Sequence, residues 1–175
     1  MNLQHCLALT AAAGAVLMDL KTGEIANGWI VILWLAGFAA GGMSRGAVGF
    51  LTFLTGALLP ILTLFWLFCF RMIGAGDIKL LSALGGFLGP AAILKCICLS
   101  FIFGAILSAG ILLICGNIRQ RLLKFTTYFK HYILPKLQGK AVVPVPYRDG
   151  KWGMECIHFS VPILLSVLLW LGGFY

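Results

Sequence analysis

Residues 47–90 read AVGFLTFLTGALLPILTLFWLFCFRMIGAGDIKLLSALGGFLGP. The first part, 47–70, holds no charged residue and is long enough to cross the hydrocarbon core of a bilayer as a helix, which takes about 20 apolar residues. Arg71 ends it. After a short glycine-rich break, a second apolar run, about 76–89, opens beside Asp77 and Lys79 and closes at Gly89-Pro90, a pair that disfavours continuing a helix. The reading is of two membrane helices joined by a brief polar turn.

Outward from this stretch the pattern repeats, with apolar runs at roughly 3–18, 28–44, 92–116 and 156–175. With 47–70 and the short 76–89, they predict an all-α polytopic membrane protein of about six transmembrane helices. Composition agrees: 61% of the residues are hydrophobic and only 10% charged, far from the balance of an ordinary soluble domain. No internal repeat or low-complexity linker divides the chain, so 1–175 reads as a single membrane domain. The first run lacks the positively charged start of a secretory signal peptide.

The net charge of +8 is better explained by topology than by nucleic acid, which is not expected as a partner. With the N-terminus outside, the basic residues from Lys21 and Arg71 to the cluster at 119–151 all fall inside, and only Arg45 and Lys95 fall outside. The positive-inside rule therefore puts both termini outside. All five acidic residues, Asp19, Glu24, Asp77, Asp149 and Glu155, then lie on the inner side. The segment 117–152 forms a basic cytosolic loop. Before Pro135, Ile118, Leu122, Phe125, Phe129 and Ile133 recur at helical spacing among basic residues, which predicts an amphipathic helix lying on anionic lipid. Beyond it, Pro144 and Pro146 predict extended chain. The six cysteines are scattered without a C-x-x-C pair, so they read as packing residues, with no metal site and no disulfide framework.

Ionisable residues at the edges of spans are costly to desolvate and mark candidate sites. Asp19 closes the first span and Asp77 opens the short fourth one, both on the inner side. Gly74 and Gly76 give the backbone before Asp77 freedom of angle and room for close approach. The bland alternative is an aspartate serving as an ordinary helix N-cap. Lys79, two residues beyond Asp77, reads as an interfacial anchor.

Gly74-Ala75-Gly76-Asp77 resembles the GxGD signature of intramembrane aspartic proteases, and Gly76-Asp77-Ile78-Lys79-Leu80 is similar to the prepilin peptidases among them. In that family the partner aspartate precedes an Ile-Pro-Asn-like segment. Here Asp19 is followed by Ile25-Ala26-Asn27, with Ala26 in place of the proline. His158-Phe159-Ser160-Val161-Pro162 is similar to a family motif in the last span. The resemblance implies a multi-pass protein of the cell (inner) membrane in which Asp19 and Asp77 are catalytic, supported by Gly74, Gly76, Lys79 and Asn27. It also implies a pilin-like precursor as partner, with a basic leader and an apolar helix, cut on the cytosolic side. The chain opens directly on the first-aspartate span, without a cysteine-rich region, and so looks like the short, peptidase-only form.

Two neighbouring carboxylates share a proton and titrate as a pair. The ionised one can activate a water while the protonated one polarises the scissile carbonyl, so neither metal nor cofactor is expected. Asp77, at a helix N-terminus, is the expected base and Asp19, at a helix C-terminus, the expected acid. Two other readings compete: a solute-binding six-helix subunit of a transporter, and a structural assembly factor whose aspartates are caps.

Overall fold

The computed structural model describes residues 3–70, 72–115 and 158–174, with isolated positions between 123 and 131. The predicted amphipathic helix and extended segment of 117–152 lie almost wholly outside the described residues. Those described form helices with no strand: α1 (Leu3–Thr22), α2 (Asn27–Met43), α3 (Gly46–Cys69), α4 (Ala75–Leu88), α5 (Pro90–Cys115) and α6 (Ser160–Leu171).

The helical stretch Asn27–Cys69 is two helices divided at Gly46, whose φ of 57° and ψ of −135° lie outside the helical region and suit a residue without Cβ. Aromatic contacts show that the chain reverses there. The Trp34 and Phe53 rings meet edge-on at 5.9 Å and those of Phe38 and Phe50 at 4.9 Å, so the two helices run back along each other in pairs centred near residue 44, just before Gly46. Gly46 follows Ser44-Arg45, the polar break between the predicted runs 28–44 and 47–70.

Helix α4 is the centre of the bundle. It packs against α1, against the α2–α3 hairpin and against α5, while α6 bridges α1 and α5. Its burial runs round the whole helix: Leu80, Leu81, Ala83 and Leu84 have no exposed surface and Ser82 almost none. It is this burial by protein on every side that makes α4 the core helix, since an all-round apolar helix could otherwise face lipid. Small residues let its neighbours come close. Gly56 of α3 and Gly85 of α4 meet backbone to backbone, and a Cβ on either would strike the other's carbonyl oxygen. Ser82 turns its hydroxyl to the same crossing and donates to the Ala57 carbonyl at 2.8 Å.

Helix α1 contributes a stripe of Ala8, Ala11, Ala12 and Ala15, all fully buried and spaced for one helix face. Trp29 of α2 lies over Gly14 and donates its indole N–H to the Ala11 carbonyl at 3.4 Å, which clasps α2 to α1. On the far side Ser166 of α6 donates to the Cys96 carbonyl of α5 at 3.0 Å, and the Cys96 side chain is fully buried. That burial fits the reading of this cysteine as a packing residue.

Two helices are long and apolar enough to cross a membrane, Gly46–Cys69 and Pro90–Ile111. Only 33% and 22% of their most apolar windows are buried inside the protein, so these are not the core helices of a soluble fold. Their outer faces carry Leu62, Phe65, Trp66, Ile102 and Ile106, each more than half exposed. So continuous an apolar surface needs a bilayer to cover it. The shorter helices Asn27–Met43 and Ser160–Leu171 are also apolar.

Candidate functional site

Helix α1 ends where Gly23, at φ 70°, turns the chain out of the helix and donates its N–H to the Asp19 carbonyl at 2.8 Å. Asp19 therefore sits in the last turn of α1, and its side chain faces inward at 12% exposure. Two side chains from the start of α6 meet it. Ser160 donates its hydroxyl to Oδ2 at 2.6 Å, and His158 places Nδ1 3.2 Å from Oδ1. The histidine nitrogen is buried and close, but it is not aligned for a hydrogen bond.

Asp77 lies in the first turn of α4, half-buried. The N-cap position is Gly74, not Asp77, which differs from the simple capping reading of this aspartate. Nor does Gly74 take unusual angles: its φ of −71° and ψ of 146° are open to any residue. The reason for glycine is room. A Cβ there would come within 3.2 Å of Asp77 Oδ2, tight enough to push the carboxylate aside. At Gly76 the expected close approach is not what requires glycine, since a Cβ there would make only ordinary contact with the Ile25 side chain at 3.6 Å.

The two motif segments thus meet. Ile25, in the connection after α1, packs on Gly76 just before Asp77. Two residues beyond Asp77, Lys79 donates its ammonium to Asn27 Oδ1 at 2.8 Å. Sequence reasoning gave Lys79 an anchoring role at the interface, because a neighbour two residues away on a helix points elsewhere. It does point away from Asp77, but toward Asn27, a partner only the fold supplies. The link is exposed, so its contribution is small. Asn27→Ala and Lys79→Ala are each expected to lower the melting temperature by only a few degrees and the double variant by no more than the larger single loss. Additive losses in thermal melts would show that the pair is not coupled.

His158 and Ser160 were legible only as part of the His158–Pro162 motif; their contact with Asp19 was not. Glu24 is exposed within the α1–α2 connection, where its carbonyl accepts from the Thr22 hydroxyl. Asp149 and Glu155 lie outside the described residues. Among those described, no group of three or more His, Cys, Asp or Glu side chains could hold a metal ion.

A family model described as the type IV leader peptidase family matches residues 6–109, which include Asp19, Asn27, Gly74, Gly76, Asp77 and Lys79. The chain belongs to the type IV leader peptidase family. The prepilin peptidase resemblance read from the GxGD and Asp19 segments is thereby shown, and with it a peptidase of leader-peptidase type in a membrane setting. No finding supports the transporter-subunit alternative. No curated protein and no solved structure matches the chain. The match stops at residue 109, so the start of α6, with His158 and Ser160 on Asp19, lies beyond it.

Proposed function

We propose that this chain is an aspartic endopeptidase that removes the basic leader of pilin-like precursors at the cytosolic face of the cell membrane. Asp19 and Asp77 carry the chemistry. The observation supporting the reading is that the connection after α1 packs on the first turn of α4, through Ile25 on Gly76 and Lys79 on Asn27, in a chain of the leader peptidase family. That packing gathers both aspartate-bearing segments at one end of the bundle.

In the reaction a water activated by one carboxylate attacks the scissile carbonyl, while the other carboxyl polarises that carbonyl and then protonates the leaving amine. A dyad that shares one proton supplies both functions and returns to its starting state when the products leave. The substrate is a helix that must open locally before it can be cut. At the membrane edge water is present and helix ends fray, so opening costs least there. Six spans with both termini outside would put the dyad on the cytosolic side, where the leader of a precursor is presented.

The direct test uses the purified chain in liposomes and a synthetic precursor with a basic leader joined to an apolar helix. Cleavage at the junction is expected, identified by mass spectrometry of the released leader. An intact precursor at high enzyme concentration would refute the reading. Sidedness has its own measurement: single cysteines introduced at Lys130 and at Arg45, in a background with the native cysteines replaced, are expected to react with a membrane-impermeant maleimide from the cytosolic and outer sides respectively. The opposite pattern would reverse the orientation and move the site to the other face.

A further inference from the structure

Ser160 opens α6, where a serine hydroxyl ordinarily caps its own helix by accepting a backbone N–H. It does not do so here. The N-cap position is Phe159, no side chain caps the helix, and the Ser160 hydroxyl crosses to α1 and donates to Asp19 Oδ2 at 2.6 Å. Ser160 itself is 1% exposed, so the bond is made away from water. His158, two residues earlier, brings a buried Nδ1 to 3.2 Å from the other oxygen, Oδ1, and has no aligned hydrogen bond in this state. The carboxylate is thus approached on both oxygens by one short segment.

That segment is itself braced. The Phe159 ring, between the two polar residues, lies 5.3 Å from the Phe101 ring of α5 and packs on Gly104, where a Cβ would stand 3.4 Å from it. Pro162, one turn further, lies against the same glycine, and Ser166 ties α6 to the Cys96 carbonyl. The start of α6 is therefore fixed by α5 and presented to α1 from a rigid base. The last torsion of an aspartate is broad, so a carboxylate held by one oxygen can swivel. One held at both cannot.

Resting on the peptidase reading of Asp19, we propose that His158 and Ser160 are positioning residues, which fix the plane of the Asp19 carboxylate so that its remaining lone pairs meet the water and the scissile carbonyl. Ser160 makes its bond in the resting enzyme. His158 stands poised and closes its bond as the substrate complex tightens, a behaviour common to catalytic hydrogen bonds that are poorly aligned in free enzymes. An interaction completed only on the way to the transition state raises kcat and leaves KM alone. A reacting group misplaced by about 1 Å costs on the order of 10²-fold in rate, which sets the scale of the effect.

The experiment measures kcat and KM for precursor cleavage by the full chain in liposomes, with Ser160→Ala, His158→Phe and His158→Asn beside the unsubstituted chain and Asp19→Asn. Phenylalanine keeps the ring volume without the nitrogen, whereas asparagine places an amide N–H close to where Nδ1 stood. Ser160→Ala and His158→Phe are expected to lower kcat by about 10- to 100-fold with KM changed less than about twofold. His158→Asn is expected to recover most of the loss. A merely structural role predicts equal losses for His158→Phe and His158→Asn, and that result overturns the proposal. So does unchanged kcat in both Ser160→Ala and His158→Phe while Asp19→Asn is inactive. If Ser160→Ala does not fold, the two His158 variants decide the matter between them. An inactive unsubstituted chain, or an active Asp19→Asn, overturns the peptidase reading itself and this proposal with it.

Discussion

Asp19→Asn and Asp77→Asn are each expected to abolish precursor cleavage, with losses of about 10²- to 10⁴-fold or more, because general acid and general base are removed in turn. Asparagine makes this a sharp test at Asp19. It keeps the size of the side chain, and its amide oxygen still accepts from the Ser160 hydroxyl that now stands 2.6 Å from Oδ2. At Asp77 it keeps the side-chain volume beside Gly74, where there is no space to spare. Both variants should therefore insert and melt like the unsubstituted chain. The double variant should be no slower than the slower single one, since groups that act as a unit are not additive. Glu24→Gln is the control, at an exposed residue, and should retain full activity. Substantial cleavage by either dyad variant would exclude the two-carboxylate mechanism.

The second large effect falls on stability. Gly56→Ala would drive a methyl group into the Gly85 carbonyl, and Gly85→Ala into that of Gly56. The obstructing atom is backbone in both cases, so no side chain can rotate to make room. The helices would have to part along the crossing at which α3 holds α4, breaking the Ser82 bond to Ala57 as they did so. Overpacking of this kind costs about 1–3 kcal/mol and more where nothing yields, a large share of the roughly 5–15 kcal/mol that typically holds a chain folded. Gly110→Ala in α5 makes the contrast, because a Cβ there meets nothing within 4 Å. Relief from glycine's unfavourable helix propensity should leave it neutral or stabilised by up to about 1 kcal/mol. Thermal melts of the three variants in one detergent would check the order, and a Gly56→Ala melt equal to that of Gly110→Ala would contradict the crossing.

Much of the fold was open to reading because lipid imposes a simple rule on sequence. The break between 28–44 and 47–70 marked the reversal at Gly46, and Gly89-Pro90 marked the end of α4. The short run 76–89 became Ala75–Leu88, a true helix although about 21 Å long at 1.5 Å per residue. Its central place was less evident, because apolar residues face lipid and core alike. The two aspartates stood out as charges at the ends of apolar runs. Their partners did not. Lys79 finds Asn27 across 52 residues of chain and Ser160 finds Asp19 across 141, contacts that depend on how helices pack and leave no periodic trace. The role of Gly74 was half legible: close approach was expected, but what comes close is the carboxylate of Asp77 itself.

The distance along the chain between Asp19 and Ser160 also sets a schedule for biosynthesis. At a translation rate of about 5–20 residues per second, the ribosome needs roughly 7–28 s to make the 141 residues that separate the carboxylate from the hydroxyl that binds it. Only in the last third of that interval, once Cys115 has been made, can the α1–α5 part of the bundle assemble around α4, and the start of α6 does not yet exist. A nascent chain, or one truncated before α6, would carry both aspartates and still lack a finished site. The contact between Ser160 and Asp19 is thus among the later ones to form as the chain is made.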